Sequence, residues 1–593
     1  MASNEAHRGT FREIVHEADF CVVGGGMAGL CAAVAAARRG AQVVLMHDRP
    51  VLGGNASSEC RVHVCGADRS NGIPNMRETG ILEELRLDNL AANPNRNYSV
   101  WDTVLFDKVR YQPGLTLLLN CSCLDAATRS KRIRSVTGWQ TTTQTYHTVK
   151  ARLFADCSGD GILAPLTGAH SRIGRESRDE FGESIAPEHM DDRTMGMTCL
   201  FQAREHDTPQ PFAPPAWAHR YDSCDELPQG PGRHTWWTMG YWWIELGGEH
   251  DSIHQTEELR DELLRVTYGV WDHIKNRCPD GKDKAANWAI EWIQFLPGKR
   301  ESRRFLGPHV LTQHDIEAEG RFDDVVAYGG WSMDDHHPAG FDAVKIGAPP
   351  TLFHHAPSPY GIPLRCLYSR NIPNLMFAGR NTSCTHAAMS STRVMGTGCS
   401  MGQAVGTGAA LAVREGLEPA GLQDRVPELQ QQLLYDDCYL PWIPQTMPDL
   451  TMQARLEATQ GDPEPVRDGT NRPVGDDTHA WSCTAGDQVM YHFGEPSPVK
   501  AVTVIVDSAL DKGIALSLHQ GGRMALTVPP DVLIRDFRIE GRIDDSWLTL
   551  RTIHDNHQRL VRCTLDDKLS AVRLVVDRTW GAEKSRIYAF YVE

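Results

Sequence analysis

The sequence predicts an α/β domain built on parallel strands, split by an inserted α+β domain and followed by an all-β sandwich. Three observations carry that reading. Residues 20–30, FCVVGGGMAGL, run from an apolar strand straight into Gly24-x-Gly26-x-x-Gly29 at the start of an Ala-rich helix. A further apolar run, AQVVLM at 41–46, follows that helix and completes the strand–helix–strand order of a parallel sheet. From about residue 456 the texture changes to short alternating runs, VKAVTVIVDS, RLVRCTLDD, SAVRLVVDRTW and SRIYAFYVE, parted by turn residues as in an antiparallel sandwich.

The glycine run is the Rossmann-type dinucleotide fingerprint. Gly24 permits the tight turn, Gly26 lets the backbone approach a pyrophosphate, and Gly29 lets helix and strand pack closely. The first helical turn, with Met27 and Ala28, offers unpaired N–H groups and a positive dipole end to the phosphates. At the end of the second strand, where such sites place an acidic group on the ribose, stand His47 and Asp48. Asp48 suits the hydroxyls as a carboxylate, His47 as a neutral acceptor. A Gly pair follows in RPVLGGNASS (49–58). Residues 151–164, ARLFADCSGDGILA, read as a strand breaking at Ser158-Gly159-Asp160-Gly161, a Gly-rich turn at the strand end where open α/β sheets bind ligands. Residues 372–411 read as a strand, NLMFAG, and a helix with glycine at 396, 398, 402, 406 and 408. Such glycines cost a free-standing helix about 1 kcal/mol each, so close packing against a neighbour is expected.

With these stretches in view, the chain resembles the FAD-dependent oxidoreductases of the FAD_oxidored type, relatives of the succinate dehydrogenase and fumarate reductase flavoproteins. The resemblance covers roughly residues 17–420 and rests on VVGGGMAG, RPVLGGNASSE, FADCSGDG, ESRRFLG and AGRNTSCTHAAMSSTRVMGTGCSMGQAVG. It implies FAD as cofactor, with Gly24, Gly26, Met27, Ala28 and Gly29 at the pyrophosphate. Arg49, Gly53, Gly54 and Asn55 of the second loop and Ser158, Gly159 and Asp160 of the third would line the cofactor. Gly379, Arg380 and the Gly398–Gln403 stretch, with Met401, would approach the flavin end. The departure is His47, where related flavoproteins usually carry Glu.

Length and composition fit this organisation. A chain of 593 residues exceeds one hydrophobic core, and 41% apolar with 23% charged residues is ordinary for a soluble globular protein. The FAD-binding domain is expected over 17–175 and 370–420, a substrate domain over 176–369, a helical connector over 421–455 and the sandwich over 456–593. In the tail, RDGTNRP, HAWSC and IYAFYVE resemble a discoidin-like, galactose-binding-like jelly roll. The net charge of −16 argues against nucleic acid or anionic membrane as main partner. No apolar run suits a secretory signal or a membrane span, and sixteen scattered cysteines fit a reducing, cytoplasmic setting.

Three segments carry candidate chemistry. RVHVCG (61–66) reads as a strand with Arg61 and His63 on one face. There Arg61 would stabilise a reduced flavin, and His63 would act as base, donor or, by analogy with succinate dehydrogenase, covalent flavin attachment. SMDDHHPAG (332–340) reads as a loop concentrating His336 and His337 behind two aspartates, for proton transfer. It has the residue types of a metal site as well, yet no metal is expected. NTSCTHAAMSSTR (381–393) places His386 and Arg393 between strand and helix; His386 is the leading base. Tyr360 and Arg365 are further pocket candidates, and Trp236, Trp237, Tyr241, Trp242 and Trp243 form an aromatic cluster suited to sugar faces or to a core.

The expected function is oxidation of a hydroxyl of a sugar, glycoside or polyol by hydride transfer to flavin, with a small-molecule or glycan substrate and an unidentified electron acceptor. Homo-oligomers are compatible with it. Three alternatives stand: a disulfide reductase using Cys60 and Cys65, a reductase of activated double bonds using Arg393 and Arg303-Arg304, and a lyase- or hydrolase-like carbohydrate enzyme using flavin redox transiently.

Overall fold

The computed structural model describes residues 10–70, 72–228, 243–514, 516 and 525–593. The first domain is a seven-stranded sheet. Strands β1 (Arg12–Val23), β2 (Val43–Met46) and β3 (Leu115–Leu118) run parallel, and β4 (Cys121–Arg129) and β5 (Arg132–Gln140) lead antiparallel into β6 (Thr145–Asp156). β6 lies parallel to β1 along its whole length and takes β7 (Leu375–Phe377) at its end, so a strand from far along the chain completes the sheet. The crossover from β1 to β2 is α1 (Met27–Arg38), whose residues 27–37 are all buried.

Helices α2 (Ile81–Ala92) and α3 (Tyr98–Arg110) lie between β2 and β3. Beyond β7 the chain forms the short helix His386–Thr392 and a long one, Met395–Glu415. The glycines of the long helix have their neighbour: a Cβ on Gly402 would lie 2.1 Å from the Ala28 carbonyl oxygen, and one on Gly406 2.1 Å from that of Ala32. Two small-residue ridges four residues apart let the backbones touch, and buried contact offsets the poor helix propensity.

The insert has its own core, with Met197, Phe201, Leu263, Val270, Trp271 and Phe341 fully or almost fully buried. Its spine is a helix, Thr256–Asp272, that widens into a π turn at His273–Arg277. The antiparallel pair of Phe201–Glu205 with Trp288–Ile293 flanks it. The core of the first domain reaches into the expected insert region, taking in Leu311, Ile316, Val326, Met333, Ile362 and Leu367.

The C-terminal domain is all antiparallel. Two long strands, Gln488–Val506 and Leu560–Thr579, pair along their lengths with register breaks at 492/497 and 499/501. Trp481–Thr484 and Lys584–Val592 lie on one side of that pair and Ile534–Ile543 and Ser546–Ile553 on the other. One core fills it, with Trp481, Tyr491, Val502, Phe537, Val572 and Phe590 buried.

Candidate active site

The loops at the C-terminal ends of β1, β2, β6 and β7 converge on one cavity of about 600 Å³. Its near end is a backbone cradle. Gly24 has φ +104°, and a Cβ there would lie 2.4 Å from the Cys157 carbonyl, so only glycine makes this turn. Gly26 caps α1 with no side-chain hydrogen bond, and a Cβ on it would meet nothing within 4 Å. The unpaired N–H groups of the helix start therefore face open cavity. Met27, Ala28, Gly53, Gly54 and Asn55 complete this part of the wall, and a bridge pairs Gly26 with Gly53.

His47 has a different task from the one expected of it. It lines the cavity, but both ring nitrogens are taken: Nδ1 accepts from the Gly25 N–H at 3.0 Å, and Nε2 donates to the Val51 carbonyl at 3.0 Å. Burial lowers its pKa and keeps it neutral. It ties the glycine turn to the following Gly-Gly loop, beside the exposed carboxylate of Asp48. Arg49 lines the wall while paired with Glu59 at 2.5 Å.

At the third loop, Asp156 accepts from the Ser158 and Leu163 N–H groups and shapes the turn. Asp160 takes Arg380 at 2.6 Å, Ser302 at 2.7 Å and Lys299 at 2.8 Å, and the two cations hold its pKa well below the usual carboxylate range. Ser158, Gly159, Asp160, Gly379, Arg380 and Gly398 all line the cavity.

The far end is a chain of charges. His336 sits between Glu245 (Nδ1 to carboxylate 2.6 Å) and Asp334 (Nε2 to carboxylate 3.1 Å). Arg393 donates to Asp334 at 3.1 Å, and Arg300 pairs with Glu245 at 3.3 Å. The two carboxylates outweigh burial and raise the His336 pKa above the ordinary imidazole value. His63 is the opposite case: burial alone pushes it down to about 4, and it is neutral. Trp243, Trp331 and Phe353 add aromatic wall. The indole N–H groups of Trp243 and Trp331 and Nε of Arg393 are buried with no hydrogen-bond partner among the described residues.

The sequence model of the FAD dependent oxidoreductase family matches residues 19–433. The chain belongs to that family. It is thus an enzyme of the FAD-dependent oxidoreductase class, and the cradle fits FAD: open space at Gly26, an uncapped helix start and a carboxylate at Asp48. No curated protein matches the chain. Among solved structures it is similar to a geranylgeranyl bacteriochlorophyll reductase-like protein from Thermoplasma acidophilum, at 14% identity over 71% of this chain and 82% of that one, TM-score 0.30. It is similar, too, to the family 32 carbohydrate-binding module of Streptococcus pneumoniae EndoD, at 18% identity over 25% and 97% of the two chains, TM-score 0.19. A third is the family 32 module of C. perfringens NanJ in complex with galactose, at 12% identity over 24% and 93%, TM-score 0.17.

Several expected site residues lie elsewhere in this oxidoreductase. Residues 61–66 form no strand. Arg61 leaves the cavity, donates to Gln202 at 2.8 Å and stacks over Trp292 at 4.5 Å. Gly29 packs against the Gly24 carbonyl oxygen, where a Cβ would stand at 1.9 Å. Met401 is buried away from the cavity, and Gln403 accepts from the Ile81 N–H at 2.9 Å, capping α2. The DDHH segment is a strand, Met333–His336, not a loop, and strand alternation splits it. Asp334 and His336 face the cavity, while Asp335 turns to His386. His386 lies behind the wall between Glu301 (2.8 Å) and Asp335 (3.0 Å), which raise it to about 10 against burial. It is an imidazolium and no base at neutral pH. His337 accepts from the Ala339 N–H and shapes a turn. Tyr360 bonds Ser391 and Arg365 pairs with Asp324. Arg304 is buried with Glu176, and Arg303 donates to the Asp160 carbonyl.

Burial pushes the thiols of Cys60 and Cys65 up to about 12, and both are free, so neither is an activated sulfur. Of the aromatic cluster, Trp243 is on the wall; Trp236, Trp237, Tyr241 and Trp242 lie outside the described residues. Sequence reasoning missed Glu245, Arg300 and Trp331. No local motif marks them, because strand pairing alone assembles them: Glu245 and Gly298 flank the same short strand, Met197–Thr198. Among the described residues no helix is long and apolar enough to cross a membrane.

Proposed function

We propose that the enzyme oxidises a hydroxyl-bearing carbon of a polyhydroxylated substrate, a sugar, glycoside or polyol, bound at the far end of the cavity. The observation that supports it is the set of buried donors with no partner among the described residues, Trp243 Nε1, Trp331 Nε1 and Arg393 Nε, on a wall that also offers carboxylate acceptors at Asp334 and Glu245. Buried N–H groups without acceptors cost free energy unless a ligand supplies oxygens. Aromatic faces beside charged hydrogen-bonding groups suit a ring with apolar C–H faces and a polar rim.

Bound FAD supplies the two-electron acceptor. The protein's part is proton handling and placement. His63, kept neutral, takes the hydroxyl proton. His336, bonded through both ring nitrogens, holds Glu245 and Asp334 in place, and these carboxylates accept hydrogen bonds from substrate hydroxyls. Arg393 and Arg300 fix those carboxylates. The histidine that sequence reasoning favoured as base, His386, acts here by positioning: it locks Asp335 and Glu301 behind the strand that carries Asp334 and His336.

Anaerobic titration of the FAD-loaded enzyme against sugars, glycosides, polyols, hydroxy acids and amines tests this reading. Bleaching of the flavin band by a sugar, glycoside or polyol is expected. Bleaching by hydroxy acids or amines alone would overturn it. So would oxidation of pre-reduced enzyme by activated alkenes with no bleaching by any hydroxyl compound.

A further inference from the structure

Outside the cavity, the insert brings together Cys224, His273 and Cys278, all buried, with their ligating atoms within 4.8 Å of one another. None of the three lines the cavity. We propose that they bind a zinc ion that pins the insert's core. The spacing matches the ion. Zinc–sulfur bonds of about 2.3 Å and zinc–nitrogen bonds of about 2.0–2.1 Å at tetrahedral angles put two sulfurs about 3.8 Å apart and a sulfur and nitrogen about 3.5 Å apart. The observed Cys224 Sγ to Cys278 Sγ distance is 3.8 Å, and Cys224 Sγ to His273 Nε2 is 3.4 Å. A disulfide would need about 2.05 Å.

The surroundings are those of a ligand set. The Nδ1–H of His273 donates to the Tyr221 carbonyl at 2.9 Å, which fixes the tautomer with the Nε2 lone pair turned to the sulfurs. The Gly281 N–H donates to Cys278 Sγ at 3.1 Å and orients that sulfur. A Cβ at Gly281 would lie 3.0 Å from that sulfur, so glycine permits the approach. The π turn explains how residues 273 and 278 share a face. The Cys278 N–H reaches the His273 carbonyl at 2.7 Å, an i→i+5 bond that an α-helix would not make. Thiolate and imidazole together select zinc over magnesium or calcium. Binding removes one proton from each thiol to solvent, transfers no electrons and leaves the fourth position to water or one further side chain.

The ion would join the 3₁₀ turn Cys224–Glu226 to the end of the Thr256–Asp272 helix. Elemental analysis of full-length, FAD-loaded protein purified without chelator tests it. About one zinc ion per chain is expected, with Cys278→Ser falling below about a tenth while keeping its FAD. Should that variant fail to fold, chelator-stripped wild-type protein given Co²⁺ alone should show a thiolate-to-cobalt charge-transfer band, and His273→Cys should retain zinc. Wild-type protein that carries no zinc after incubation with the ion and desalting, and shows no cobalt band, would overturn the proposal. Recovery of a Cys224–Cys278 disulfide from the untreated protein would do the same.

Discussion

Single residues decide whether the cradle holds its cofactor and which histidines carry charge. At Gly26 a side chain would enter the space where the backbone approaches the pyrophosphate, so Gly26→Val should yield folded protein that purifies without FAD absorbance. Yellow protein with normal FAD content would contradict the placement. The histidines differ through their neighbours. His386, raised to about 10, binds its proton more tightly folded than unfolded, where the value is about 6.5. Its contribution is therefore fully present below about pH 6.5 and is lost as pH rises through about 10. Denaturant unfolding across this window should show stability falling with pH, and His386→Gln should flatten the fall. An equal slope in both proteins would remove His386 as its source. These states were not legible in the sequence. SMDDHHPAG shows two His behind two Asp, but only strand pairing sends Asp334 and Asp335 to different histidines.

At the scale of elements, the glycine fingerprint and the glycine-rich helix were both legible because each obeys a local rule. Gly24 must take positive φ, and a helix dense in glycine must touch something closely. Sequence could not say what it touches, since α1 and the long helix lie nearly four hundred residues apart. Gly406→Val would drive a side chain into the Ala32 carbonyl region, where even a Cβ stands at 2.1 Å. A loss of at least roughly 1–3 kcal/mol is expected, read as a lower midpoint in denaturant with FAD release on the same curve. An unchanged midpoint would show that the helices do not pack this way. The reading of 61–66 as a strand failed for a related reason. Alternation is a weak signal over six residues, and here the segment lies against the cavity with Arg61 at φ +53°.

Across the whole molecule, the C-terminal domain is fastened to the first by buried polar contacts. Arg77 and Glu83, both 1% exposed, pair at 2.7 Å, and Arg77 donates to the Ser508 and Ala509 carbonyls of the C-terminal domain. Ser508 in turn donates to Glu83 at 2.7 Å. Arg77→Met leaves Glu83 buried without its guanidinium partner, at a cost of about 3–5 kcal/mol. It should split unfolding into two transitions or release the C-terminal domain to protease. A single transition at the wild-type midpoint would mean that the contact does not fasten the domains. The parallel sheet and the antiparallel tail were legible from changes in texture along the chain, whereas this fastening was not, because its partners are separated by more than four hundred residues.

The central claim is that a neutral His63 faces the substrate beside the FAD cradle. Single-turnover reduction of the bound flavin by a bleaching sugar, glycoside or polyol tests it most directly, measured from pH 5 to 9 in wild-type and His63→Gln enzyme. With His63 pushed down to about 4, the wild-type rate should be flat across this range. His63→Gln should keep its FAD and lose roughly 10²–10⁴-fold in rate, the worth of a positioned base. An inflection near pH 6.5 in the wild type, or an unimpaired His63→Gln enzyme, would contradict the account.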